Sequence, residues 1–300
     1  MASWDTLIVV ERYPPPGAYA EVLTTVAAPG GTTTNTAAAL ARLGTTVTLR
    51  VVVGDDAAGH TLREEMASIG VDIGGVTTHP TSPTDASTIL VSAEPPDRTI
   101  LWHRGALLTK GDRLDIGHLF GHDLVILDVA DMPLLRFLTD LPAHTRPDAR
   151  LLGTMTYLVE PGTPDALDIA LRFDTLVGNQ RQYQLLTGSA SDDTALDVVR
   201  ARMPGSNLRT AIQTRGADGC RIVTRDEAWT VPAFAATVVD PTGAGDAFAA
   251  GIAWGMAQRW PWPATGHFAN ALGALATRAL GAQAGQPSLA EVEAVLAGHE

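Results

Sequence analysis

The chain has 300 residues, 45% of them hydrophobic, and a formal charge of −12. That is apolar material for one large or two modest cores, while the scattered basic residues give no electrostatic footprint for a nucleic-acid partner. One cysteine, no signal-peptide pattern near Met1 and no apolar run approaching the roughly 18–20 residues of a bilayer span exclude a disulfide framework, a thiolate metal cluster and a membrane helix, so a cytoplasmic protein is expected.

Strand-like and helix-like segments alternate over most of the chain, which favours an α/β sheet with helices on its faces. Residues 6–28 come first, as extended segments around the turn Pro14-Pro15-Pro16-Gly17. The small-residue run 36–44 predicts a helix stopped by Gly44, followed by a strand over 47–53 and a second helix over 58–70. Residues 86–104 read as a hairpin with strands 87–93 and 99–104, turning at Glu94-Pro95-Pro96-Asp97. The segments 6–28 and 86–104 lack helices and are expected to pair as a small β layer, a lid over a site. Strands are then predicted over 124–129, 151–153, 175–177, 210–213 and 220–224, and helices over 132–140, 268–280 and 289–296. No repeat and no long linker interrupts the pattern, so a single domain over 1–300 is expected.

The most informative segment is Val238-Val239-Asp240-Pro241-Thr242-Gly243-Ala244-Gly245-Asp246. A short β-branched strand is expected to run into a Gly-rich turn that opens a small-residue helix. Helix N-termini present backbone N–H groups without intrahelical partners and a positive dipole end, so this turn forms an anion site. Asp246 would repel a phosphate, yet it could take a proton from a hydroxyl that attacks one. A phosphate cradle with a base beside it points to phosphoryl transfer.

Two further segments lead into helices. Pro29-Gly30-Gly31-Thr32-Thr33-Thr34-Asn35 combines close backbone approach with Asn35, whose amide both donates and accepts, as a polyhydroxyl ligand requires; alone it also fits a polar helix cap. Val53-Gly54-Asp55-Asp56 fits helix capping. His103 and Arg104 end the hairpin and face either a substrate or solvent. Asp128 ends a strand and either holds a hydroxyl or caps the next helix. Trp254, Trp260 and Trp262 read as packing, and Cys220 as a small buried hydrophobe.

In order, Gly30-Gly31…Asn35, Val53-Gly54-Asp55-Asp56, Asn179, Thr214…Gly216…Gly219 and Asp240-x-Thr242-Gly243-Ala244-Gly245-Asp246 resemble the ribokinase-like sugar kinases, the phosphofructokinase-B type. The likeness covers nearly the whole chain, from about Asp5 to Leu296. It implies an α/β fold, a ribokinase-like three-layer sandwich with a small β-sheet lid, and ATP-dependent phosphorylation of a small sugar with Mg2+. By the same resemblance Asp246 is the general base, and the amides of Gly243, Ala244, Gly245 and Asp246 form the anion hole. Asp5, Gly31 and Asn35 match positions on the sugar, and Asn179, Thr214, Gly216, Gly219, Gly245 and Asn270 match the nucleotide side. Asp240 and Thr242, with Gly281-Ala282, match a monovalent-cation loop suited to K+. Apart from the resemblance, an exposed lid sheet offers edges that can pair across a two-fold axis, so a homodimer through the lid is one expectation, with the oligomeric state left open.

The sequence departs from the family pattern in two places. A family glutamate that helps hold the Mg2+ water shell is replaced by Gln182, a neutral amide three residues after Asn179. Only Met1–Trp4 precede Asp5, where the family has an apolar strand, so the first central strand is expected to be missing. A nucleoside kinase of the same fold, with Trp4 or the lid stacking a base, and a regulator that binds without turnover are the alternatives.

Overall fold

The computed structural model describes residues 1–95, 97–141, 149–159 and 165–298. Pro96, in the hairpin turn expected at 94–97, lies outside them. Two compact units emerge, Met1–Leu107 with Phe234–Gly251 and Ala271–Glu300, and Leu108–Ala233 with Ile252–Asn270.

In the first unit β1 (Ser3–Val10), β2 (Val22–Gly30), β5 (Ala86–Ser92) and β6 (Asp97–His103) form a four-stranded sheet in the order β2-β1-β5-β6. Between them in sequence come α1 (Thr32–Arg42), β3 (Val52–Gly54), α2 (Ala57–Ser68) and β4 (Thr77–His79), with β3 parallel to β4. The segments 6–28 and 86–104 therefore supply one sheet. Ser3–Val10 pairs antiparallel to β2 and parallel to β5, so the first strand of the chain belongs to this small sheet. Alternation puts Asp5, Leu7 and Val9 on one face with Ser87, Ile89 and Val91. Leu7, Ile89 and Val91 are buried there with Leu280 against them. A separate apolar cluster joins α1 and α2 to β3 through Ala38, Val53, Leu62 and Met66.

The second unit holds α3 (Ile116–Leu119), β7 (Leu124–Leu127), α4 (Met132–Thr139), β8 (Arg150–Thr154), α5 (Ala166–Ala170), β9 (Thr175–Asn179), α6 (Gln180–Thr187), α7 (Asp192–Arg202), β10 (Thr210–Thr214), β11 (Cys220–Thr224) and β12 (Ala228–Val231). Its six strands run in the order β12-β11-β10-β9-β8-β7, with β7 to β10 mutually parallel. Tyr183 of α6 pins this sheet from within: its hydroxyl donates to Leu176 O and accepts from Ile212 N, both at 3.1 Å. The division between units runs through α8 (Ala244–Ala257) and α9 (Trp262–Ala276), and α10 (Leu289–Ala297) closes the described chain.

Several boundaries differ from the sequence reading. α1 begins at Thr32 rather than 36, because Gly31 takes a left-handed φ of 89° and starts the helix directly. Of the strand expected over 47–53 only β3 survives, with an isolated bridge at Thr48. Val238 and Val239 form no strand; they are part-exposed, and Val239 N donates to Thr277 O instead. The helix expected over 268–280 starts six residues earlier and ends at Ala276. Cys220 is buried, and burial pushes its thiol up to about 12, as an inert hydrophobe requires.

Candidate functional site

The turn before α8 is built around one carboxylate. Asp240 is fully buried; its Oδ1 accepts from Thr242 N at 2.9 Å and Thr242 Oγ1 at 2.6 Å, and its Oδ2 accepts from Gly281 N at 2.8 Å. This clamp ties the turn to the 281–282 segment so closely that a Cβ on Gly243 would stand 2.6 Å from Ala282 O. Gly243 also has φ +79°, so glycine is required there twice over. Ala247 N donates to Gly243 O at 2.9 Å, the first bond of the α8 ladder. The amide of Ala244 closes the turn onto Pro241 O at 3.3 Å. Nothing stands within 4 Å of a Cβ built on Gly245, which leaves room beside the helix start.

Asp246 lies in the first turn of α8 and meets the second motif. Asn35 Nδ2 donates to Asp246 Oδ2 at 2.8 Å across 211 residues of sequence, and Thr36 Oγ1 donates to Asp246 O at 3.4 Å. Asn35 is itself held from the C-terminal side: Gln283 Nε2 donates to Asn35 Oδ1 at 3.1 Å, and Gln286 Nε2 to Asn35 O at 2.9 Å.

Asp5 forms another wall of the same unit. Ser3 Oγ donates to its Oδ1 at 2.7 Å, and Ser87 lies beside Ser3. Burial pushes Asp5 up to about 6, against the lowering by Ser3 and Ser87, and the charge of Asp85 adds to the rise. Gly30 is packed under it; a Cβ there would stand 1.9 Å from Asp5 Oδ2, so any side chain would displace the carboxylate. Gly31 turns the chain beside Met1 and Ser3, where a Cβ would meet Met1 O at 2.5 Å. At the base of the sheet, buried Asp85 accepts from Trp102 Nε1 on both oxygens, at 2.8 and 2.9 Å, and from Gly105 N at 2.9 Å. Burial raises Asp85 as well. Trp102 pairs with Ser87, and Ser87 with Asp5, so the indole shares the Asp5 face of the sheet.

The structure therefore brings Asp5, Gly31, Asn35, Asp240, Thr242, Gly243, Ala244, Gly245 and Asp246 into one unit. Asn179, Thr214, Gly216, Gly219 and Asn270 fall in the other. There Asn179 and Thr214 are register partners at the ends of parallel β9 and β10. Gly216 opens a 3-10 turn and Gly219 follows it, with φ of +58° and +83°, and a Cβ on Gly219 would clash with Val231 O. Asn270 Nδ2 donates to Val231 O at 3.0 Å and Pro232 O at 2.9 Å, fixing the segment after β12. Gln182 closes a capping box on α6: its Oε1 accepts from Asn179 N and its own N donates to Asn179 Oδ1, both at 2.8 Å.

Other residues resolve more simply. The cap of α4 is Asp131, not Asp128. His103 is exposed and bonds Thr88 on the sheet face opposite Asp5, and Arg104 lies over the Trp102 ring at 4.6 Å. Trp254, Trp260 and Phe268 pack as one aromatic cluster, with Trp254 and Phe268 stacked at 4.5 Å. Gln283, Gln286 and Asp85 escaped the sequence reading, because each acts through a long-range contact and sits in no motif. No group of acidic, His or Cys residues able to hold a metal occurs among the described residues, and none of their helices is long and apolar enough to cross a membrane.

Residues 2–289 match the profile of the pfkB family carbohydrate kinases. The chain is 27% identical over 278 residues to fructokinase-1 of Zea mays, covering 85% of this chain and 84% of that one. It is 26% identical to the ribokinase of Bacillus subtilis, covering 98% and 96%. In fold it is similar to Arabidopsis thaliana ribokinase complexed with ribose and ATP, with a TM-score of 0.82 at 21% identity over 98% of this chain and 96% of that one.

Proposed function

The chain belongs to the pfkB family of carbohydrate kinases, and from that premise we propose that it transfers the γ-phosphoryl group of ATP to a hydroxyl of a small sugar. The observation that carries this reading is the 2.8 Å bond from Asn35 to Asp246, which joins the acceptor motif to a carboxylate at a helix N-terminus. Asp246 takes the proton of the attacking hydroxyl. The amides of residues 243–246 hold the charge of the transferring group, which needs orientation and stabilisation more than covalent help. Asp5 and Asn35 hold sugar hydroxyls beside Gly31. Asn179, Thr214, Gly216, Gly219 and Asn270 serve the adenine nucleotide, with Gly245 on its phosphate end.

The described residues build no carboxylate cage for Mg2+. The ion would arrive on the nucleotide phosphates and keep most of its water. For K+, the side chain of Asp240 already accepts three hydrogen bonds. Backbone carbonyls of Asp240, Thr242 and the 281–282 segment are the donors that remain, and the close approach of Gly243 to Ala282 O favours that reading. Leu23 and Leu101 are each 56% exposed on the edge strands of the small sheet, which fits a homodimer through it. A reaction that draws on ATP fits the cytoplasm. The nucleoside-kinase alternative loses one support, because Trp4 faces away from Asp5 across β1.

The test is an ADP-release assay on D-ribose, D-fructose and a set of nucleosides. Faster release with a sugar than with any nucleoside is expected; the reverse order would transfer the assignment to nucleosides, and no release above the ATP-only rate would overturn the kinase reading. The Mg2+ dependence is tested by Gln182→Glu. Glutamate keeps the capping box with one oxygen and adds a negative charge near any metal-bound water, so half-maximal rate should need less Mg2+. An unchanged Mg2+ titration would show that this position does not manage the metal.

A further inference from the structure

A primary amide has a donor end and an acceptor end, and only its partners say which way it points. An ionised carboxylate accepts only, so the contact with Asp246 Oδ2 must come from Asn35 Nδ2. That leaves Asn35 Oδ1 for the other side, where it can meet only a donor, and Gln283 Nε2 supplies one at 3.1 Å. The chain of bonds therefore runs in one sense, from Gln283 through Asn35 to Asp246. Its first link is anchored nearby: Gln286, 3% exposed, donates to Asn35 O, and the backbone O of Gln286 accepts from Arg42 Nη1 at 3.1 Å.

We infer that Gln283 is a positioning residue for phosphoryl transfer: its amide tethers the Oδ1 end of Asn35 while the other end meets Asp246, and through Asn35 it holds the orientation of that carboxylate. The inference rests on the reading of Asp246 as the general base. Without the Gln283 donor Asn35 keeps its bond to Asp246 but loses the tether on its Oδ1 end. Amide and carboxylate would then shift together, and the carboxylate would swing out of the attacking geometry. A near-attack arrangement is sensitive to displacements of this kind. Gln283 acts through Asn35, so its effect exists only while Asn35 is present.

That dependence defines the experiment. Gln283→Met keeps the length of the side chain and removes the donor. Its kcat should fall roughly tenfold, the scale of a misplaced rather than a deleted group, with KM for ATP unchanged. In an Asn35→Leu background the same substitution should add nothing, whereas a merely structural role would give additive losses. Gln283→Glu, isosteric but an acceptor, should lose more than Gln283→Met. A readout that needs no sugar is the side-chain 15N–1H resonance of Asn35, identified by its loss in Asn35→Leu. It should move in Asp246→Asn and again in Gln283→Met. An Asn35 resonance untouched by Gln283→Met, or a wild-type kcat in Gln283→Glu, would overturn the inference. Full activity in Asp246→Asn would instead overturn the assignment of the base, so the two failures are distinguishable.

Discussion

Asp246→Asn should abolish sugar phosphorylation, with kcat falling by about 10²–10⁴-fold, the contribution of a positioned general base. Asparagine has nearly the shape of aspartate and can still accept the Asn35 amide bond through its own oxygen. The Thr36 contact is to the backbone of residue 246 and survives too. The fold and the helix N-terminus should therefore persist, and ATP should bind with wild-type affinity by calorimetry. What disappears is the ability to take a proton. A variant within a few-fold of wild-type kcat in the ADP-release assay would show that the hydroxyl loses its proton elsewhere. A variant that fails to bind ATP would show that Asp246 serves the fold of the anion site rather than the chemistry.

The 240–246 turn was legible because its physics is local: two glycines, a carboxylate and a small-residue run occupy consecutive positions, and a helix start follows. The parallel strands β8 to β10 were legible as short buried runs for the same reason. The Asn35 contact to Asp246 was not, since it spans 211 residues and no spacing encodes it. Gln283 gave still less signal, a single polar residue beside Ala282 whose meaning depends on where Asn35 points. Val238 and Val239 misled because β-branched residues favour strands, whereas here they join no strand and Val239 N donates to Thr277 O. Residues 262–267 hid the start of α9 because Trp262-Pro263 reads as a loop, yet proline is well accommodated in the first turn of a helix. Asp128 reads on sequence as a hydroxyl holder or a cap for the next helix, whereas the cap of α4 is Asp131, which accepts from Leu134 N at 2.7 Å.

Asp5→Asn should make the protein more stable and a worse kinase. The Asp5 carboxyl is 6% exposed, and burial raises it from the ordinary 3.8 to about 6. A folded-state value above the unfolded one means that the native protein holds this proton more tightly. The stability it lends is present below pH 3.8 and is lost as pH rises through about 6. At pH 8 the wild-type protein therefore carries an ionised, buried carboxylate at a cost on the order of 2–3 kcal/mol. Asparagine carries no such charge and can still accept from Ser3 Oγ, so Asp5→Asn should melt several degrees higher at pH 8. The two proteins should converge as pH falls toward 4. Function runs the other way, because an ionised carboxylate accepts hydrogen bonds from sugar hydroxyls and an amide presents a donor in place of one oxygen. Loss of a charged hydrogen bond should raise KM for the sugar on the order of 10–100-fold. In the wild type kcat/KM for the sugar should decline below pH 6 as Asp5 is protonated, and in the variant that decline should be absent. Thermal melts and sugar kinetics across pH 4–8 decide the matter. A variant less stable than wild type at pH 8 would mean that the Asp5 carboxylate is held by favourable contacts that outweigh its burial, and that the site is not strained toward its ligand.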